Sequence, residues 1–328
     1  MKSRRLGKTG PMVSAIGLGC MGMTDHYGRR DDEAQAIAAI HHALDHGVSL
    51  LNTSDNYGPH LNEELIGRAL KQRPGQAILN TKFGLVRCPD GKRGVNGRPD
   101  HVVRSCEASL KRLGVDAIDI YTQHRVDPET PVEETVGALS RLVEVGKVRY
   151  IGLSEAGPET IGKAHAIHPL VCIETEYSLW SRDVEEYILP MCRKLGISLM
   201  PYAPLGRGFL TGSIRSTADL IPGDTRTAMP RFSGENFNVN LAKVQGLEKV
   251  AFAKGFKAAQ VALAWVLHQD DAIVPIPGTK QIKYLNENVR AVDIDLTPDD
   301  LQKLDLLFAV GTTAGPRYPE ELMRQLGL

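Results

Sequence analysis

The chain has no surplus of charge: its 39 basic and 39 acidic side chains cancel. That balance gives no electrostatic reason to expect a nucleic-acid or anionic-membrane partner. Cysteine is scarce and scattered. Cys20, Cys88, Cys106, Cys172 and Cys192 form no C-x-x-C pair, a pattern that fits a reduced, cytoplasmic protein better than a disulfide scaffold. No apolar run approaches the roughly 18 residues of a membrane span. Residues 1–6 are basic, but no apolar stretch follows them, so no signal peptide is expected. Low-complexity segments are missing too. What remains is a chain of 328 residues, long enough for a large core, either as two domains or as one α/β barrel.

Short apolar runs alternate with helical patterns almost from end to end. Candidate strands cover 15–18, 49–52, 77–82, 117–123, 148–153, 171–174, 198–202 and 273–276. Between them Ile37, Ile40 and Leu44 share a helical face within 34–44, and Val136, Leu139, Val143 and Val145 lie near one stripe within 132–145. Ile188, Met191 and Leu195 do the same within 184–195. Asp32, Pro99 and Pro131 are plausible helix starts, the prolines in a first helical turn. Strands alternating with helices imply parallel pairing, and eight such units are the number that closes a barrel. An open doubly wound sheet is the competing architecture. Gly7-Lys8-Thr9-Gly10 marks a hairpin turn ahead of the first unit, placed across the barrel bottom. The glycine- and proline-punctuated stretch 206–240 breaks the alternation, as functional loops do. Two helices are expected after it, near 241–254 and 258–269, and one near 298–309 before an irregular tail.

Gly17-Leu18-Gly19-Cys20-Met21-Gly22 matches G-x-G-x-x-G. A dinucleotide fingerprint needs a helix opening at the third glycine. The residues that follow, Met23 to Arg30, are polar and start no apolar helix, so a glycine-rich loop after the first barrel strand is the better account. Tyr57, Lys82 and His124 each fall at or just past the end of a predicted strand, where barrel enzymes place catalytic groups. An ordinary tyrosine, with a pKa near ~10, donates a proton poorly at neutral pH. A neighbouring ammonium lowers that value, and a histidine can orient a substrate oxygen or relay a proton. Singly, a lysine after a strand is usually solvated and a histidine usually satisfied by the fold; together they form a usable acid site. His41-His42 and His165-x-x-His168 fall on helical stretches, where solvated faces are the simpler account than a metal site.

The run Asn52-Thr53-Ser54-Asp55-Asn56-Tyr57-Gly58 resembles the D-T-[AS]-x-x-Y-G motif of aldo-keto reductases, with asparagine in the aspartate position. Further marks of that family are Glu63-Glu64-Leu65-Ile66-Gly67-Arg68-Ala69-Leu70, Lys82-Phe83-Gly84, Ser109-Leu110-Lys111-Arg112-Leu113, His124-Arg125-Val126-Asp127, the stretch Gly146 to Ser154, Glu176-Tyr177-Ser178-Leu179-Trp180, Pro204-Leu205-Gly206-Arg207-Gly208 and Pro277-Gly278-Thr279-Lys280. The stretch Arg231 to Phe237 resembles the branch of perakine and auxin-induced-type reductases. The resemblance implies a (β/α)8 TIM barrel spanning 1–328 as a single domain, with an N-terminal hairpin, two extra helices and long loops at the barrel mouth. It implies reduction of a small-molecule aldehyde or ketone by NADPH, which becomes NADP+. Tyr57 would be the general acid, Lys82 its modulator and His124 the substrate-orienting group, with Asn52 as the fourth catalytic position. For the cofactor it implies Tyr202 stacked on the nicotinamide, Ser154 and Glu174 at its carboxamide, and Pro204, Leu205, Gly206 and Gly208 beside the pyrophosphate. Gly278, Thr279, Lys280 and Tyr284 would lie at the 2′-phosphate, and Glu287 and Asn288 at the adenine. The oligomeric state is open.

Three positions depart from the family pattern. Glu174 replaces a glutamine. Tyr284 replaces an arginine, leaving Lys280 and Lys283 to supply positive charge. Asn52 loses the anion that would pair with Lys82, which predicts turnover slower by ~10-fold to 10³-fold than in Asn52→Asp, with cofactor binding intact. A damaged tetrad also suits a cofactor-binding redox sensor with little catalysis, and a barrel lyase using Lys82 as a Schiff base is a third reading. Tyr27, Phe83, Met200 and Tyr318 are candidate pocket walls, covered by 206–240 and the tail at 312–319.

Overall fold

A computed structural model describes residues 1–24, 27, 32–87 and 93–327. Cys88 and most of the polar stretch after Gly22 (residues 25, 26 and 28–30) lie outside the described residues. The strands are β1 (Ser3–Arg5), β2 (Met12–Ser14), β3 (Leu18–Gly19), β4 (Leu50–Asn52), β5 (Ile78–Phe83), β6 (Leu85–Arg87), β7 (Arg93–Val95), β8 (Ile118–Gln123), β9 (Val148–Ser154), β10 (Leu170–Glu176) and β11 (Ser198–Tyr202). Seven of them form one sheet in the order β11-β10-β9-β8-β5-β4-β3, every pairing parallel. The helices are α1 (Glu33–Asp45), α2 (Leu61–Lys71), α3 (Pro99–Leu113), α4 (Val132–Glu144), α5 (Pro158–Ile167), α6 (Ile188–Leu195), α7 (Gly234–Ala253), α8 (Ala258–His268), α9 (Ile282–Val289), α10 (Pro298–Leu307) and α11 (Glu320–Met323).

The eighth staff of the barrel is the run 273–278, and it is held by bridges rather than by a full strand. Its sequence gives the reason. Val274 and Ile276 donate backbone bonds to Leu199 and Pro201 of β11 at 2.9 and 3.0 Å. The residues that alternate with them, Pro275 and Pro277, accept from Gly17 and Gly19 at 2.9 and 3.2 Å but carry no N–H to return. Half the ladder on the β3 side is therefore chemically absent, yet the sheet closes into a (β/α)8 barrel. The glycines of the G-x-G-x-x-G match serve this closure. A Cβ on Gly19 would sit 2.7 Å from the Ile276 carbonyl oxygen, and one on Gly17 would sit 2.9 Å from the Ile276 side chain. They allow close approach of two barrel staves, and among the described residues only a 3-10 turn, Met21–Met23, opens directly after them.

The hairpin β1–β2 pairs Ser3 with Ser14 and Arg5 with Met12. It plugs the N-terminal end of the barrel: Gly7 N–H donates to Ser198 Oγ at 2.8 Å and Lys8 N–H to the Gly196 carbonyl at 2.9 Å. Leu6 and Val13 from this plug pack with Leu50, Ile120, Cys172, Met200, Val274 and Ile276, which point into the barrel. Leu79, Phe83, Tyr121, Ile173 and Leu199 alternate outward and bury against the helices. Inward positions one step nearer the C-terminal mouth are polar: Asn52, Asn80, Lys82, Thr122 and Glu174, all buried. Room for this layer comes partly from Gly152, whose Cβ would approach Cys172 Sγ to 2.7 Å and Thr122 Oγ1 to 2.8 Å.

Several boundaries shift from the sequence expectation. The first barrel strand begins at Leu18, because Ala15 N–H bonds back to Lys2 at 2.8 Å and so belongs to the plug. Asp32 caps α1 through Ala34 N–H, and Pro99 occupies the first turn of α3, but Pro131 is the cap residue just before α4. The 184–195 pattern splits into a short turn at Asp183–Glu185 and α6. Helix α7 starts at Gly234, inside the stretch expected to be loop. Helices α7 and α10 lie outside the eight β/α units and pack on one another, and the short α11 follows in the tail. Among the described residues no single helix is long and apolar enough to cross a membrane.

Candidate active site

Tyr57 follows β4, Lys82 lies near the end of β5 and His124 directly follows β8. These strands are neighbours, so the fold brings the three residues together at the C-terminal mouth. Lys82 is fully buried with its ammonium 5.0 Å from the Tyr57 ring centroid. The Tyr57 and His124 rings meet edge to face at 5.8 Å. Ser54 Oγ shares a hydrogen bond of 3.1 Å with His124 Nδ1, fixing the imidazole from one side. Burial raises the Tyr57 pKa more than the Lys82 ammonium lowers it, and the Glu174 charge adds to the rise, so the net value lies above that of free phenol. The hydroxyl thus stays protonated and ready to donate. Burial pulls the Lys82 pKa down, but the Glu174 carboxylate and then Tyr57 outweigh it, and the ammonium is held above the ordinary lysine value.

The anion expected to be missing is present from another strand. Lys82 Nζ donates to Asn52 Oδ1 at 2.7 Å and to the Thr53 carbonyl at 2.9 Å, and Glu174 Oε1 on β10 lies 3.1 Å away. The premise that Asn52 leaves Lys82 without a counter-charge is therefore corrected. Glu174 Oε2 accepts from Asn52 Nδ2 at 2.7 Å and from Asn80 Nδ2 at 3.3 Å, and Asn80 Oδ1 accepts from Thr122 at 2.9 Å.

A second charged cluster rims the mouth. Arg207 donates to Glu176 Oε2 at 2.8 Å and to the Tyr318 hydroxyl at 2.7 Å, with its guanidinium 6.0 Å from the Tyr202 ring centroid and 4.9 Å from that of Tyr318. The Tyr202 and Tyr318 hydroxyls bond at 2.8 Å. Arg125 reaches Ser154 Oγ at 3.3 Å, and Arg317 pairs with Glu155 at 3.2 Å. The loop and the tail meet through Arg231, which donates to Gly315 at 3.1 Å, and Asn240, which donates to Ala314 at 2.9 Å. Arg125, Arg207, Arg317 and Glu155 were not singled out from sequence. Their signal was charge at strand ends and in the segments that follow them.

The remaining expected cofactor residues lie in two segments, the loop after β11 and the run that leads into α9. Pro204 and Leu205 lead into Gly206-Arg207-Gly208, three successive left-handed residues with φ of 57°, 55° and 91°. Gly206 is required sterically too, since a Cβ there would lie 2.6 Å from the Trp180 ring. Gly278, Thr279 and Lys280 sit where the proline run turns toward α9, and Thr279 Oγ1 accepts from Gln281 N–H at 3.1 Å. Tyr284 is exposed beside Lys283, Glu287 is tied to Lys257, and Asn288 is buried. An aromatic face, a hydroxyl and several cations on one mouth form a donor set that fits a nicotinamide dinucleotide.

Of the proposed pocket walls, Tyr318 is at the site. Phe83 is outer core, stacked on Tyr121 at 4.7 Å, and Met200 lies in the barrel interior. Tyr27 bridges Asp224 under the Arg226 guanidinium. The histidine pairs are not simply solvated: His41 bonds the Ala69 carbonyl at 2.9 Å, His42 bonds Asn286 at 2.8 Å, and His168 bonds Ser140 at 3.2 Å.

The Aldo/keto reductase family model matches residues 15–308. This chain belongs to the aldo/keto reductase family. It is 46% identical to a probable aldo-keto reductase 1 of Glycine max, over 96% of this chain and 91% of that one. Among solved structures, a glycerol dehydrogenase from Gluconobacter oxydans is similar with a TM-score of 0.86 at 29% identity, covering 94% of this chain and 95% of that one. A thermostable aldo-keto reductase solved with the inhibitor epalrestat gives a TM-score of 0.75 at 29% identity, covering 94% and 100%. An oxidoreductase on a TIM barrel is thus established for this aldo/keto reductase.

Proposed function

We propose that this chain, as one barrel domain, is an NADPH-dependent carbonyl reductase that converts aldehydes or ketones to alcohols. One observation carries the reading: Tyr57, Lys82 and His124 converge from three neighbouring strands on one mouth. Bound NADPH would supply the hydride that reduces the carbonyl carbon, leaving NADP+ and an alcohol. Tyr57 donates its hydroxyl proton to the carbonyl oxygen as charge builds there. Lys82, kept cationic by its neighbours, stabilises the phenolate left behind. His124, steadied by Ser54, orients the substrate oxygen. Tyr202, Ser154 and Arg207 are suited to the nicotinamide end, and Lys280 with Lys283 favours the extra phosphate of NADPH. Kinship to the perakine and auxin-induced-type branch is supported by the Arg231 to Phe237 stretch.

Purified protein mixed with NADPH and a reactive aromatic aldehyde should consume the cofactor, faster than with NADH, and Tyr57→Phe should slow the reaction by ~10²–10⁴. NADPH binding without turnover of any carbonyl would overturn the reading and favour a sensor.

A further inference from the structure

Two of the departures from the family pattern lie on opposite walls of the barrel, on β4 and β10, 122 positions apart in the chain. Their side chains touch. Lys82 can only donate, so the Asn52 amide must turn its oxygen toward the ammonium, and its nitrogen then faces Glu174. The observed bonds, 2.7 Å from Lys82 Nζ to Asn52 Oδ1 and 2.7 Å from Asn52 Nδ2 to Glu174 Oε2, satisfy both requirements. An aspartate at position 52 could not do this. It would set a carboxylate oxygen against the Glu174 carboxylate, two like charges in a buried space. A glutamine at position 174, with Asn52 kept, would leave a buried ammonium surrounded by neutral acceptors only.

We propose that Glu174 is the anionic partner of Lys82, so that the carboxylate of this site has moved from β4 to β10 and the departures at 52 and 174 compensate one another. Glu174 is then a positioning residue, holding Lys82 charged and aimed at Tyr57, and Asn52 is the neutral hinge between them. Other carboxylates do not fill this role. Asp55, two residues before Tyr57, accepts from Ser54 Oγ at 3.4 Å, and among the described residues it makes no ion pair. Glu63 is spent on Thr81 and Arg112, each at 2.6 Å. The other titratable groups around the pair are Tyr57, His124, Arg125 and the thiols of Cys20 and Cys172. Burial pushes Cys20 up to about 12 and Cys172 higher, so neither thiol competes near neutral pH.

This inference rests on the reductase reading for its kinetic arm and stands apart from it for its structural arm. The experiment is a cycle of Asn52→Asp, Glu174→Gln and the double variant. Steady-state reduction and the pH profile of kcat are measured beside urea unfolding of each cofactor-free protein. Each single change should lower kcat by about 10- to 100-fold and displace the pH profile, and the double should recover most of the loss. Unfolding should repeat that pattern, with losses in the singles and recovery in the double. Glu174→Gln with unchanged kcat and pH profile, or Asn52→Asp alone turning over faster, would overturn the proposal. If the unaltered protein reduces no carbonyl, the reductase reading fails. The ion pair is then judged on unfolding alone: recovery in the double supports it and additive losses sink it.

Discussion

Two buried charge networks share the mouth of this barrel, and they are built on opposite plans. The floor has one cation and one anion in contact, Lys82 and Glu174, wrapped in the neutral amides of Asn52 and Asn80. The rim sets Arg207, Arg231 and Arg317 around Glu155 and Glu176, tying strand ends to the loop and the tail. Removing one floor charge leaves the other buried and alone, whereas the rim keeps at least one partner for every carboxylate except Glu155. The difference separates chemistry from architecture. A site built on one ion pair holds little redundancy, and a site that ties strand ends to a loop and a tail gains from several cations.

The largest break in that comparison should come from the floor. Tyr57→Phe is expected to lower kcat by ~10²–10⁴ while cofactor affinity and thermal stability stay near the original, checked by steady-state kinetics and cofactor titration. At the rim, Arg317→Met should act in the opposite sense. Stranding the buried Glu155 carboxylate should cost about 3 kcal/mol in urea unfolding, with a smaller change in kcat per folded molecule.

Asp55 sharpens the contrast, as a buried carboxyl group with no bonded cation among the described residues. Burial first, then Glu63, raises its pKa to about 7 from 3.8. The folded chain therefore keeps a proton that the unfolded chain loses, and stability falls as pH rises between about 4 and 7, then levels. Asp55→Asn should be more stable than the original by roughly 4 kcal/mol at pH 8 and nearly equal to it at pH 4, measured by denaturation at both. The smallest effect belongs to the surface. Arg68→Ala removes an exposed pair with Glu33 and should change stability by less than ~1 kcal/mol.

The periodic alternation of apolar runs made the barrel legible, because parallel strands need crossovers and each crossover left its own helical stripe. The eighth stave was visible as an apolar run, but the two prolines that thin its ladder reduce it to bridges. The onset of α7 was hidden because Gly234 reads as a breaker, yet with a φ of 55° it opens the helix after Ser233. The convergence of Tyr57, Lys82 and His124 could be anticipated from strand ends alone, since neighbouring strands fix neighbouring positions. The partnership of Asn52 with Glu174 could not. It spans the barrel interior, and spacing along a chain carries no information about which inward residues face one another across it.

The proline-thinned seam also gives this closed hoop a preferred place to yield. Amides on either side of a full ladder are locked by reciprocal bonds, but Gly17 and Gly19 lean on carbonyls that offer nothing back. Deuterium should enter here before it enters β8 or β9, which lie in the middle of the sheet. Gly278 and Lys280 continue directly from this run, so a dinucleotide held there, as proposed above, would act as a clasp on this thinned join and slow that exchange. The barrel would then register cofactor as a tightening of one seam, one strand away from Asn52 and its partners on the floor.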